Sequence, residues 1–234
     1  MACIGIHFLD TGPLLCLGGL LVEVTDKDAK KRKKAKGAEK KAEPRFLGLL
    51  ECYDDHMLKD ARVVDAVWRE LVRHSQRSRC EPGSYGHGGP SERVAAQKAL
   101  NRYSDSLLAK RNLRHASSGV SLVRIQDDLR RRSQTRAGKR GVAHGPSNIG
   151  EAHTIQAILD SAESSVSLVS NDNGAIQEAC ARNISTCTFV DLMCQLTKLD
   201  KSLKKSRVLG ALLHVRRQGL DIGKYVTNVM DLPC

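Results

Sequence analysis

Two stretches far apart in the chain are built alike. IHFLDTGPLL (6–15) and SLVSNDNGAI (167–176) each begin as a short apolar run, turn at an acid, Asp10 or Asp172, and go on with helical spacing. A buried strand followed directly by a helix, met more than once, predicts a sheet of parallel strands with helices between them. In such a sheet the carboxyl ends of the strands line one crevice. Acids at two strand ends can therefore meet there although the sequence separates them. Glu151 belongs to the same grammar, standing in the first turn of a helix introduced by Gly150.

Between these landmarks the pattern predicts the remaining elements. Residues 3–9 read as the first strand, and Pro13 suits the opening of a helix that ends near Gly18 and Gly19. In 46–60, Phe46, Leu49, Leu50 and Tyr53 share a helical face. In 61–75 a short apolar run precedes a helix with Val64, Val67, Trp68 and Leu71 toward the core, and Glu70 lies between the members of that stripe. Ser91 is placed to cap a helix over 92–115 that buries Val94, Leu100, Leu107 and Leu108. GVSLVRI (119–125) reads as a strand, helical spacing resumes from about 149, and a basic helix is expected over 199–218. The whole chain, 1–234, is expected to form one α/β domain with two insertions, at about 25–45 and 76–147.

Charge is confined to those insertions. The net charge of +12 divides into +7 within 27–41 and +6 within 129–140, which leaves −1 for the rest of the chain. Basic blocks of this kind suit a polyphosphate partner. The candidate nucleic-acid contacts are Lys31, Arg32, Lys33 and Lys34 in the first block, and Arg130, Arg131, Arg132, Arg136, Lys139 and Arg140 in the second. The eight cysteines include no C-x-x-C pair, so free thiols in a reducing compartment are expected. No apolar run approaches the roughly 20 residues of a membrane span. With no basic flank ahead of the first apolar run, a cytoplasmic protein without membrane contact is expected.

Carboxylates gathered at one place repel each other and stay ionised together chiefly around a cation. An all-oxygen set suits Mg²⁺ or Mn²⁺, which activate water and stabilise in-line displacement at phosphorus. The histidines show no ligand spacing. GSYGHGGP lacks the strand–glycine–helix context of a dinucleotide site, and no G-x-S-x-G elbow is present.

Taken together, IHFLDTGPLLCLGG, VVDAVWRELVRHS, IGEAHTIQAIL and LVSNDNGAIQEACARNI resemble the PIN-domain ribonucleases, the family of the VapC-type toxins. Asp10 matches the family's first-strand acid, Glu70 the acid of the V-x-x-E-L helix, Glu151 that of the G-E-A helix of one branch, and Asp172 that of the turn after the later strand. Thr11 and Ser170 fall on the hydroxyl positions around the metal site, with Asn171 as a further auxiliary residue. Asn148, Asn171 and Ile176 depart from the family's pattern.

The resemblance implies a PIN-like three-layer fold and a Mg²⁺- or Mn²⁺-dependent endoribonuclease acting on RNA. It also implies an antitoxin partner if the protein is the toxin of such a pair, and a homodimer. Two other readings stay open at this point. One is a basic nucleic-acid-binding protein without catalysis on the same scaffold, and the other is a structure-specific DNA nuclease.

Overall fold

In the computed structural model, residues 5–22, 45–76, 90–137, 149–224 and 226–233 are described. β1 (His7–Leu9) runs into α1 (Thr11–Gly19). After α2 (Leu47–His56) and a single 3₁₀ turn (Leu58–Asp60), β2 (Ala61–Val64) runs into α3 (Asp65–Gln76). α4 (Pro90–Leu107), β3 (Leu113–Arg114), α5 (Val120–Ala137) and α6 (Ile149–Leu159) follow. β4 (Ser167–Val169), α7 (Asn173–Ala181), β5 (Ser185–Cys187), α8 (Phe189–Leu199) and α9 (Lys205–Arg217) complete the order.

The five strands pair in the order β3-β2-β1-β4-β5, and every pairing is parallel. β1 is central: His7 lies opposite Ala61 on one side and Ser167 on the other. Helices flank the sheet, giving a three-layer α/β fold. Phe8, Leu9, Leu168 and Val169 are wholly buried, as strands with both faces covered must be. The chain winds from β1 out to β3, then crosses back to β4 and winds the other way to β5. The winding reverses between β1 and β4, and the crevice at their carboxyl ends is where an open α/β sheet binds its ligands.

Glycine sets one helix contact in this frame. A Cβ on Gly18 would lie 1.9 Å from the carbonyl oxygen of Ala95. The absence of that atom lets α1 lie against the small-residue face of α4, where Ala95, Ala96 and Ala99 are buried.

Several elements differ from the sequence expectation. GVSLVRI is the start of α5, not a strand. Leu122, Ile125 and Leu129 are its buried residues, spaced by three and four, while Val120 and Val123 face solvent. A short apolar run carries no periodicity that separates the two forms. The helix expected over 92–115 ends at Leu107, and β3 follows it. Its buried face is Ala95, Ala96, Ala99, Tyr103 and Leu107, with Leu108 exposed and Val94 and Leu100 at the margin. Pro90 already belongs to the helix, which puts Ser91 in its first turn and not ahead of it.

Trp68 packs on the edge of the core without full burial. The basic helix at the end is shorter than expected, Lys205–Arg217, because α8 extends to Leu199. Cys16, Cys52, Cys180 and Cys194 are free thiols as expected, but Cys187 is disulfide-bonded. Most of the insertion at 25–45 lies outside the described residues, with Lys31, Arg32, Lys33 and Lys34; so do Lys139, Arg140 and the side chain of Arg136. Among the described residues no helix is long and apolar enough to cross a membrane.

Candidate active site

Asp10 and Asp172 occupy the two strand ends at the reversal of winding. Asp10 is the N-cap of α1: its Oδ1 accepts from the Thr11 amide at 2.8 Å. Its own amide donates to Val169 O at 3.0 Å, tying the end of β1 to β4. Asp172 caps α7 by accepting from the Ala175 amide at 2.9 Å. Asp and Ser at such positions satisfy helix donors that have no partner within the helix. Ser170 joins the two acids. Its hydroxyl donates to Asp10 Oδ2 at 2.7 Å and accepts from the Asp172 amide at 3.1 Å.

Glu70 reaches the same place from α3. Its Oε2 accepts from the Thr11 hydroxyl at 2.9 Å. α6 closes over this pair: a Cβ on Gly150 would lie 2.8 Å from Glu70 Oε2 and 3.8 Å from Thr11 Oγ1. Glycine is thus the residue that lets the first turn of α6, with Glu151, approach the other acids. Glu151 Oε2 is buried and has no hydrogen-bond partner.

The electrostatics follow from this arrangement. Burial, with the neighbouring charges of Glu70 and Asp172, holds Asp10 above the ordinary carboxylate range, against the hydrogen bonds from Ser170 and Thr11. Burial and the charges of Asp10, Glu70 and Asp172 push Glu151 well up. Burial acts to raise Glu70 too, but hydrogen bonds from His74 and Thr11 bring it below its usual value.

Asp10 therefore feels Glu70 and Asp172, Glu151 feels the other three, and Thr11 and Ser170 tie Asp10 to Glu70 and to Asp172. They do not form a finished coordination shell. Among the described residues no three His, Cys, Asp or Glu side chains are grouped so as to hold a metal ion. A cation entering the crevice has to draw the carboxylates together. The donor set fits a hard cation, since it consists of acceptor-only oxygens and leaves one buried oxygen of Glu151 unpaired.

Asn171 spends its side-chain hydrogen bonds away from the four acids. Its Nδ2 donates to Asp221 O at 2.5 Å and to Cys16 Sγ at 3.4 Å, and its Oδ1 accepts from the Phe189 amide at 3.0 Å. It anchors the turn that carries Asp172. The arginines of α5 divide as well. Arg132 Nε donates to Glu178 Oε2 at 2.8 Å, and Glu178 also pairs with Arg182 at 2.5 Å. Arg182 in turn reaches Asp128 at 3.0 Å, so α5 and α7 are zipped antiparallel through 128–182 and 132–178. Arg130 and Arg131 are mostly exposed beside Asp127 and Asp128.

Two residues that carry no motif in the sequence, His74 and Glu92, stand behind Glu70. His74 Nε2 lies 3.8 Å from Glu70 Oε1, and His74 Nδ1 contacts Glu92 Oε1. Burial opposes the charge on this imidazole, yet the carboxylates of Glu70 and Glu92 beside it raise its pKa to about 9. The i, i+4 spacing from Glu70 was the one signal for His74. Glu92 lies on another helix and gave none.

The fold is a three-layer α/β protein with Asp10 and Asp172 beyond the carboxyl ends of β1 and β4, where the winding reverses. Comparison of the chain with protein-family models, curated proteins and solved structures gives no match in any of the three.

Proposed function

We propose that the protein is a divalent-metal-dependent endoribonuclease of the PIN-like kind. The observation that carries this reading is the meeting of Asp10, Glu70, Glu151 and Asp172, from four separate segments, at the reversal of sheet winding, with Glu151 Oε2 buried and unpaired. Uncompensated acids so placed suit a cation as their missing partner. The residues that would hold Mg²⁺ or Mn²⁺ are Asp10, Glu151 and Asp172, with Glu70 beside them. When bound, such a cation polarises a phosphate oxygen and makes water a better nucleophile.

The chain's own residues do the rest. Ser170 keeps Asp10 and Asp172 in fixed relation, and Thr11 does the same for Asp10 and Glu70. Arg130 and Arg131, exposed on α5, offer charge to a phosphodiester backbone.

The test is cleavage of an end-labelled RNA of mixed structure, and of the matching DNA, with Mn²⁺ or Mg²⁺. EDTA and an Asp10→Asn/Asp172→Asn variant are the controls. RNA cutting that needs the metal and falls at least about a hundredfold in the variant supports the reading. Cutting of DNA alone moves the substrate class. Equal RNA binding by both proteins, with no cutting, sinks the nuclease and leaves a nucleic-acid binder.

A further inference from the structure

Among the described residues Glu70 alone of the four acids has a histidine against it, and that histidine is itself held. His74 stands one helical turn on from Glu70 along α3, with Nε2 3.8 Å from Glu70 Oε1 and Nδ1 on Glu92 Oε1. Glu92 comes from the first turn of α4 and is 7% exposed. Its spacing places it on the same face as Ala95, Ala96 and Ala99, the face that α4 buries. An apolar side chain is the stable choice at such a position, and a carboxylate there needs a partner to offset its desolvation. His74 is that partner. The imidazole is thus gripped from α4 while its far nitrogen faces Glu70. On the other side, Thr11 donates to Glu70 Oε2 at 2.9 Å, and that oxygen lies 2.8 Å from where a Cβ on Gly150 would stand.

We propose that His74 and Glu92 are positioning residues for Glu70. Glu92 fixes the imidazole, and the imidazole and Thr11 together aim the Glu70 carboxylate into the crevice. This inference rests on the divalent-cation reading of the site. It deepens that reading by extending the metal-facing apparatus to α4, beyond the four acids. Partners that orient a metal's ligands from behind typically change its affinity by about 10–100-fold when removed.

The test is Mn²⁺ uptake by the full chain, read from the spectroscopic signal of free Mn²⁺, alongside metal-free thermal unfolding. Three proteins are compared: wild type, His74→Gln, and the double variant His74→Gln/Glu92→Gln, which leaves no lone buried charge. The expected result is an apparent Mn²⁺ Kd about tenfold weaker in both variants.

A lowered metal-free Tm with an unchanged Kd assigns the pair to packing and overturns the inference. Tighter Mn²⁺ binding overturns it too, since that is the outcome if His74 only repels the cation. Wild type that takes up no Mn²⁺ overturns the cation reading itself, and this inference with it. A weakened variant against a binding wild type upholds both.

Discussion

Glu178 on α7 and Glu151 on α6 are both buried carboxylates, and their surroundings are opposite in sign. Glu178, with a side chain 2% exposed, lies between Arg132 at 2.8 Å and Arg182 at 2.5 Å. Glu151 has Asp10, Glu70 and Asp172 as its charged neighbours and a carboxylate oxygen with no partner. Burying a charge is tolerated only when something offsets its lost hydration. At the α5–α7 contact the chain supplies that countercharge itself. In the crevice it supplies the His74 imidazole to Glu70 but only hydroxyl and amide donors to Asp10 and Asp172, and burial with mutual repulsion pushes Asp10 and Glu151 toward the protonated form. An acid with an internal cation holds helices together, whereas Glu151 is left with a buried oxygen that no donor meets.

The sharpest way to break this comparison is to remove the countercharge where it exists. Arg132→Met/Arg182→Met leaves Glu178 buried and unpaired, and urea unfolding should show a loss of about 3–5 kcal/mol. Adding Glu178→Gln to the pair should restore most of it. A loss below about 1 kcal/mol would mean that Glu178 is relieved by water and that the two sites are not opposites.

The converse experiment adds a countercharge where none exists. With Mn²⁺ at a hundred times its Kd, binding to the folded state alone should stabilise wild type by about 2.7 kcal/mol. Glu151→Gln should lose that gain while its metal-free Tm rises, because the amide keeps the shape and removes an acid from the cluster. A metal-free Tm that falls would show Glu151 to be stabilised by partners within the chain.

How much of this could be read from the sequence depends on how local each signal was. Asp10 and Asp172 were legible because each ends an apolar run and caps the helix after it, and both facts lie within ten residues. The α/β class followed from the same alternation. β3 was not legible: Leu113 and Arg114 are two residues, too few to show a period of two. α5 is hidden because its first residues, VSLVRI, are too short and too apolar to separate a strand from a helix, and only the positions of Leu122, Ile125 and Leu129 in the fold reveal the helix. The pairing of His74 with Glu92 depends on how α4 packs on α3, which no spacing within either segment encodes. Arg132 looked like its neighbours in the run RRR until the fold brought Glu178 against it.

A third prediction separates the acids from a buried base. His7, wholly buried on β1 with Nε2 3.4 Å from the Tyr53 hydroxyl, has its pKa lowered to about 4, mainly by burial. In the unfolded chain a histidine titrates near 6.5. As pH falls from 7.5, the unfolded state therefore takes up a proton first, and stability is lost from about pH 6.5 downward until the folded ring also protonates. By pH 5 the loss is about 2 kcal/mol. It should be measured in an Asp10→Asn/Glu151→Gln/Asp172→Asn background, where those three carboxylates no longer titrate. A flat stability between pH 7 and 5 in that variant would show His7 to be hydrated in solution.

The smallest effect on stability belongs to the residue that tests the two uses of one basic run. Arg130 and Arg132 are two residues apart on α5, yet their side chains are 67% and 37% exposed, and only Arg132 reaches a buried acid. The Arg130–Asp127 contact, at 3.2 Å between two exposed groups, should contribute no more than about 0.5 kcal/mol. Arg130→Ala should therefore leave unfolding unchanged within error. If the outward side of α5 grips a phosphate backbone, the same variant should weaken RNA binding at every sequence tested. It should also lower the slope of log K against log salt by about one, the signature of one lost phosphate contact. Arg132→Ala, by contrast, should register chiefly as lost stability. If Arg130→Ala leaves both the affinity and the slope unchanged, α5 is a scaffold along its whole described length, and the phosphate contacts belong to another surface.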